Sequence, residues 1–121
     1  MSYNVQYFSS LYIKNTTFSN NIGEGWGSAI HAFRAYASIK TSRFISNKAE
    51  RNDVVLFVDS LGVIESSEFY GNIVDSIYGK FVIRCANNGG GGKVKFSNNN
   101  IEKDLIMNAN NSCEIIDEIN Y

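Results

Sequence analysis

The chain has 121 residues, of which 44% are hydrophobic and 13% aromatic; this is enough for one domain with an apolar core and too apolar for a disordered segment. Eleven basic side chains stand against twelve acidic ones, giving a formal net charge of −1, which argues against a nucleic-acid or polybasic membrane partner. Asn and Ser are abundant and there are ten glycines but no proline, so the chain is rich in turn formers and lacks one of the commonest.

Four similar segments recur along the chain. They are Ile13–Asn21 (IKNTTFSNN), Ile39–Asn47 (IKTSRFISN), Ile64–Asn72 (IESSEFYGN) and Phe96–Asp104 (FSNNNIEKD). Each begins with an apolar residue, has another five positions later, and closes with Asn or Asp three positions after that. Successive segments begin 26, 25 and 32 residues apart, and we assign the longer last interval to a Gly-rich insertion at 87–92.

A second short stretch of alternating residues follows each of the first three segments. These stretches are Ile30–Phe33 (IHAF), Leu56–Asp59 (LFVD) and Phe81–Arg84 (FVIR). Period-2 patterning without sustained helical periodicity predicts strands. We expect Ile30, Leu56 and Phe81 to share one inward column, and Ala32, Val58 and Ile83 to share the next.

Strand-only units of about 25 residues leave no room for crossover helices, so they predict an all-β, single-stranded parallel β-helix of about four coils, in which like residues stack at about 4.8 Å. We expect one domain over 1–121. Its repeat segments are 11–36, 37–61, 62–92 (with the insertion at 87–92) and 93–121, and we expect them to be part of a longer solenoid.

The turns of stacked coils should carry side chains that hydrogen-bond to their copies above and below, as Asn can because its amide both donates and accepts. Three columns satisfy this requirement, and we predict that they form structural polar ladders. The first contains Asn15, Thr41, Ser66 and Asn98; the second contains Thr16, Ser42, Ser67 and Asn99; the third contains Asn21, Asn47, Asn72 and Asp104.

Outward positions of the second and third coils carry opposite charges. The predicted register brings together three pairs, which are Lys40 with Glu65, Arg43 with Glu68, and Asp59 with Arg84. An exposed pair contributes only about 0.2–1 kcal/mol. The pairs are therefore useful mainly as indicators of register, because a shift of one residue would separate all three.

Three segments contain the pattern FxxN, at Phe18–Asn21, Phe44–Asn47 and Phe69–Asn72, and Gly27–Ile30 (GSAI) follows the first. This combination resembles the FxxN and GGAI repeats of polymorphic outer membrane proteins and, more broadly, right-handed pectate-lyase-like β-helices. The resemblance covers residues 11–106 and implies right-handed coils. It implies surface display and adhesion for the first group, and polysaccharide cleavage for some of the wider group.

Glu24, Glu50 and Asp75 each lie three residues after a closing Asn. Stacked carboxylates could bind a cation or act as an acid–base pair; the alternative, which we prefer, is a set of solvated loop acids. Trp26, in a Gly-rich loop, is either a sugar-stacking platform or a side chain packed over the coil edge. We name these four residues as binding candidates, and we predict no catalytic residue, metal or cofactor.

The remaining candidates have structural interpretations. His31 is the only histidine and should point outward beside Phe57. Cys85 and Cys113 fall in different columns, so we expect free thiols. Two N-glycosylation triplets occur, at 15–17 and 110–112; such triplets arise by chance in a chain rich in Asn, so they count little toward secretion.

These observations predict a non-catalytic cell-surface or secreted module for adhesion or for binding carbohydrate or protein. The alternatives are a fragment of a polysaccharide lyase or glycoside hydrolase, and a structural spacer. Expected partners are a surface glycan or protein and, through open sheet edges, an end-to-end copy; neither nucleic acid nor a transmembrane segment is expected. The first residues lack the features of a signal peptide, so extracellular location would depend on a longer parent protein.

Overall fold

A computed structural model describes residues 9–23, 29–50, 53–74, 81–87, 92–101, 106–108 and 113–118. Within these ranges the chain forms β-strands and no helix. The strands are β1 (Ser9–Lys14), β2 (Thr17–Ser19), β3 (Ile22–Gly23), β4 (Ile30–Phe33), β5 (Ala35–Lys40), β6 (Arg43–Ile45), β7 (Lys48–Ala49), β8 (Val55–Val58), β9 (Leu61–Glu65), β10 (Glu68–Tyr70), β11 (Ile73–Val74), β12 (Ile83–Ala86), β13 (Gly92–Ser97), β14 (Ile106–Asn108) and β15 (Cys113–Glu118).

The strands form four sheets in which every pairing is parallel. Sheet A has the order β1-β5-β9-β13-β15, sheet B β2-β6-β10, sheet C β3-β7-β11, and sheet D β4-β8-β12-β14. Through β13 the chain adds strands to these sheets in a repeating sequence, and most neighbours in a sheet come from successive repeats. The all-β prediction is confirmed, and parallel strands in stacked sheets are compatible with a β-helix.

The register in sheets A and B is the one that the repeats predict. Ile13, Ile39, Ile64 and Phe96 lie opposite one another in sheet A, which confirms the intervals of 26, 25 and 32. In sheet B the rings of Phe18 and Phe44 stack with centroids 4.8 Å apart, and those of Phe44 and Phe69 at 4.6 Å. The fully buried side chains of this core lie in the second and third repeats and, at Val94, in the fourth, since each of these strands of sheet A has a neighbour on both sides.

Sheet D has a register that the sequence did not predict. Ile30 pairs with Val55 and Val55 with Ile83, so the expected column of Ile30, Leu56 and Phe81 is wrong. The cause is an unequal number of residues between the closing Asn and the strand: Ile30 lies 9 residues after Asn21, Val55 lies 8 after Asn47, and Ile83 lies 11 after Asn72. The same bulge precedes the strands in both pairings. The Val54 carbonyl accepts the N–H groups of both Ala29 and Ile30, and the Val82 carbonyl accepts those of Val54 and Val55.

This register turns the Phe57 side chain into the core, where it is fully buried and aligns with Ala32 and Cys85. Gly62 of sheet A makes room for the ring: a Cβ at Gly62 would lie 2.9 Å from Phe57 Cε1. His31 is exposed as predicted, but it lies beside Leu56 and not beside Phe57.

The longer third repeat gains residues in two places. Ile30 and Val55 are 25 positions apart, whereas Val55 and Ile83 are 28 apart, so three extra residues precede β12. In sheet A the corresponding interval, from Leu61 to Lys93, is 32. The four further residues therefore fall between β12 and β13, in the Gly-rich run.

The expectation of free thiols is wrong. Cys85 is buried and disulfide-bonded, the described residues include no free cysteine, and Cys113 is the only other cysteine in the sequence. Residues in one column lie on one sheet, whereas a disulfide can also join two sheets. In the structure β12 of sheet D contacts β15 of sheet A, so cysteines in different columns lie on neighbouring strands of two sheets.

Candidate binding face

The Asn column between sheets B and C forms a continuous hydrogen-bonded ladder. Asn47 Oδ1 accepts the backbone N–H of Asn21 at 3.1 Å and its Nδ2 at 3.0 Å. Asn72 Oδ1 accepts the same two groups of Asn47 at 2.9 and 3.0 Å. The remaining amide proton of Asn47 reaches the Phe18 carbonyl, and that of Asn72 the Phe44 carbonyl. Asn47 is fully buried, and Asp104 lies outside the described residues.

A second ladder joins the corner between sheets A and B. The N–H of Thr16 donates to Ser42 Oγ, that of Ser42 to Ser67 Oγ, and that of Ser67 to Asn99 Oδ1, over 2.9–3.2 Å. Each hydroxyl in turn donates to the carbonyl two residues earlier. The hydroxyls of Ser42 and Ser67 thereby both accept and donate, so these two side chains can be buried without leaving their oxygens unpaired.

The preceding column consists of Asn15, Thr41, Ser66 and Asn98, all exposed and all with φ between 49° and 58°. Left-handed backbone turns the chain sharply from sheet A into sheet B. The N–H of Asn15 donates to the Lys40 carbonyl, that of Thr41 to Glu65, and that of Ser66 to Ser97. This column thus links the repeats through its main chain.

Of the four residues named as binding candidates, one is described. Glu50 is exposed, and its N–H donates to the Gly23 carbonyl at 2.9 Å. Glu24, Trp26 and Asp75 lie outside the described residues, so their proximity to Glu50 stays a prediction. No group of three or more His, Cys, Asp or Glu side chains suited to a metal ion occurs in the described part of the chain.

The outer side of sheet A is the broadest regular surface of the described structure. Its inner side chains are buried, so the alternate residues point away from the core. Tyr12 is 73% exposed and its ring centroid lies 5.7 Å from that of Tyr36. Half-buried Leu61 and Val63 follow on β9. We call this surface the tyrosine face: Tyr12, Tyr36, Leu61 and Val63, with the flanking Lys14, Lys40, Lys93 and Lys95.

The lysines of the tyrosine face are partly neutralised. Lys40 Nζ lies 3.8 Å from Glu65 Oε2, and Lys93 Nζ lies 3.8 Å from Glu114 Oε2. The Lys40–Glu65 pair was predicted, as was Arg43–Glu68, with Nε and Oε2 3.4 Å apart. The face therefore combines aromatic and aliphatic surface with four lysines, two of which are paired with a glutamate.

Sequence reasoning missed the tyrosine face because the repeats were aligned from Ile13 onward. On β1 the outward Tyr12 precedes Ile13, and its partner on β5 is Ser38, a dissimilar side chain. Extending the alternation backwards from Ile13 and Ile39 places Tyr12 and Ser38 on the outer side. This backward extension of the alternation is the sequence signal that predicts which residues lie on the tyrosine face.

The predicted pair of Asp59 and Arg84 is wrong. Arg84 pairs with Leu56 in the register, and its Nη1 lies 3.9 Å from Oδ2 of Asp53. Asp53 is 4% exposed, and its Oδ2 has no hydrogen-bond partner within the described chain. Burial raises the pKa of Asp53 from 3.8 to about 7, although the charge of Arg84 opposes the shift. Loss of hydration thus outweighs the ion pair at this carboxylate.

Comparisons with known proteins give no relative: no family model, curated protein or solved structure matches the chain. In the described ranges, no helix has the length and apolar character needed to cross a membrane.

Proposed function

We propose that the chain is a right-handed parallel β-helix of about four coils, similar to the polymorphic outer membrane protein repeats, that acts as a non-catalytic binding module. Parallel pairing at intervals of 26, 25 and 32 residues and the continuous Asn21–Asn47–Asn72 ladder support this architecture. Each repeat uses its neighbours to satisfy backbone and corner polar groups, as repeat proteins do.

The observation that carries the binding function is the tyrosine face. Tyrosine rings offer flat apolar surface with a polar hydroxyl, a combination that suits the C–H faces and hydroxyl groups of sugars. Glu65 and Glu114 offset two of the four lysines, so charge attraction is weakened here and the rings favour a neutral or weakly acidic glycan. Strand spacing of about 4.8 Å gives the surface a regular repeat along the stack, which favours an elongated polymer.

We further propose that the module is secreted or displayed at a cell surface as part of a longer protein. The disulfide at Cys85 supports this location, because disulfides persist in oxidising compartments and are rare in the reducing cytosol. Glu24, Glu50, Asp75 and Trp26 remain candidates for a second contact region.

The test is a panel of neutral and acidic glycans screened with the intact chain and two variants. Tyr12→Ala should weaken binding to a neutral polysaccharide by about tenfold, because loss of one aromatic contact costs about 1–1.5 kcal/mol. Tyr70→Ala is the matched control: Tyr70 is 49% exposed on the outer side of sheet B and should leave binding unchanged.

Three outcomes oppose the proposal. Equal losses for Tyr12→Ala and Tyr70→Ala would show that the tyrosine face is not the binding surface. Binding to no glycan would remove carbohydrate as the ligand. Release of shortened oligosaccharides by the chain would favour the polysaccharide-cleaving alternative.

A further inference from the structure

We propose that Asn15 is an acceptor for N-linked glycosylation when the chain enters a compartment that contains an oligosaccharyltransferase. The triplet Asn15-Thr16-Thr17 has the required sequence. This proposal rests on the export included in the proposed function, but it concerns a different surface and has its own readout.

The structure gives Asn15 properties that the other Asn columns lack. Asn21, Asn47 and Asn72 use their amides in the ladder between sheets B and C. Asn15 is exposed, and in the described part of the chain its side chain enters no hydrogen bond. A glycan attached here would therefore displace no side-chain hydrogen bond of the described residues.

The backbone around Asn15 is held without its side chain. Its N–H donates to the Lys40 carbonyl at 3.1 Å, and the Thr16 hydroxyl donates to the Lys14 carbonyl at 2.9 Å. With φ at 52°, Asn15 occupies a sharp corner between β1 and β2. Thr17, the hydroxyl residue of the triplet, is also exposed. Acceptor and hydroxyl residue are thus both accessible at one turn.

The disulfide at Cys85 supports the same proposal independently of the exposed corner at Asn15. Compartments that form disulfides during secretion in eukaryotic cells are also the ones in which N-glycosylation takes place. A chain that acquires this disulfide there meets the transferase as well.

In this reaction a polyprenyl-pyrophosphate-linked oligosaccharide donates its glycan to Asn15. Asn15 Nδ2 forms a bond to the anomeric carbon of the donor sugar and gives up one proton. The bond between that carbon and the pyrophosphate oxygen breaks, and polyprenyl pyrophosphate leaves with the electron pair. Neither oxidant nor reductant is needed.

The experiment uses the full chain carrying Ser112→Ala, which removes the triplet at 110–112 and leaves Asn15 as the only acceptor. It is fused behind a cleavable signal peptide, translated in the presence of endoplasmic-reticulum microsomes and also secreted from yeast. The glycosylated residue is identified by mass spectrometry after peptide-N-glycosidase treatment. We expect one glycan at Asn15. Thr17→Ala should remove it and Thr17→Ser should retain it.

Asn100→Thr provides a matched control because it creates a triplet at Asn98, the exposed residue of the same corner column with φ of 58°. This variant should carry two glycans. An unmodified Asn15 alongside a modified Asn98 would overturn the proposal, and so would an unmodified Asn15 in secreted, disulfide-bonded protein. Glycan binding by the tyrosine face is measured on unglycosylated protein made in bacteria. A failure of the proposed binding function is therefore distinguished from a failure of Asn15 to be glycosylated.

Discussion

Asn47 is the side chain whose loss tests the stacked corners most sharply. It is fully buried, and its amide is shared among three other residues. Its Oδ1 accepts two protons from Asn21, and its Nδ2 donates to the Phe18 carbonyl and to Asn72 Oδ1. In Asn47→Ala these partners lose their hydrogen bonds while the surrounding backbone stays in place.

The loss of unfolding free energy depends on how many of these partners water cannot reach after the substitution. Asn21 is exposed, so water can replace Asn47 at its N–H groups. The Phe18 carbonyl loses its side-chain donor, and a buried group left unsatisfied costs about 1–3 kcal/mol. Asn72 Oδ1 keeps the backbone N–H of residue 47 and loses only the side-chain donor, a hydrogen bond that contributes about 1 kcal/mol. We therefore expect Asn47→Ala to lower the free energy of unfolding by about 2–4 kcal/mol. Asn21→Ala removes one exposed donor and should cost about 1 kcal/mol or less.

The assay is urea unfolding followed by circular dichroism, with the midpoint and slope compared for the wild type and both variants. An unchanged slope with a lower midpoint for Asn47→Ala is the predicted result. Losses for Asn47→Ala and Asn21→Ala that agree within about 0.5 kcal/mol would refute the ladder, since a merely solvated Asn loses little on truncation.

Three further substitutions probe burial, packing and backbone strain. Burial raises the pKa of Asp53 to about 7 from 3.8, so protonation favours the folded state and the free energy of unfolding should fall by up to about 4 kcal/mol as the pH rises from about 4 to 7. Asp53→Asn should remove this pH dependence in urea titrations at several pH values. A pH profile that is the same for the wild type and the variant would contradict the raised pKa. Gly62→Ala places a Cβ 2.9 Å from the Phe57 ring and should cost about 1–3 kcal/mol, measured by thermal unfolding, with Phe57→Leu in the same chain recovering part of the loss. Thr41, β-branched at φ 49°, should be stabilised by about 0.5–1 kcal/mol in Thr41→Asn, because Asn tolerates left-handed backbone better; a lower melting temperature would argue against strain at this corner.

The parts of the fold that repeat in sequence could be predicted from it. Apolar residues at Ile13, Ile39 and Ile64 and stacked Phe18, Phe44 and Phe69 occupy the predicted columns, because identical side chains at equal spacing allow one register only. The ion pairs of Lys40 with Glu65 and of Arg43 with Glu68 were predictable for the same reason, because they follow from this register.

The parts that depend on contacts between unlike segments could not be predicted. In sheet D the pairing differs because the number of residues between the closing Asn and the strand changes from repeat to repeat, and no residue pattern in that stretch signals the change. Asp53 and Arg84 meet because these unequal lengths pair Arg84 with Leu56. Phe57 points inward because Gly62, in another sheet, leaves room for its ring. The disulfide-bonded state of Cys85 likewise depends on how two sheets meet at a corner.

Zero-length carbodiimide crosslinking followed by peptide mass spectrometry tests most directly whether the repeats stack in the described register. We expect amide bonds joining Lys40 to Glu65 and Lys93 to Glu114, because in each pair the nitrogen and oxygen lie 3.8 Å apart. The bonds should form within single chains and disappear in Glu65→Gln and Glu114→Gln, respectively. A crosslink from Lys40 to Glu68 in place of Glu65 would contradict the stacking, because it requires the third repeat to shift by three residues.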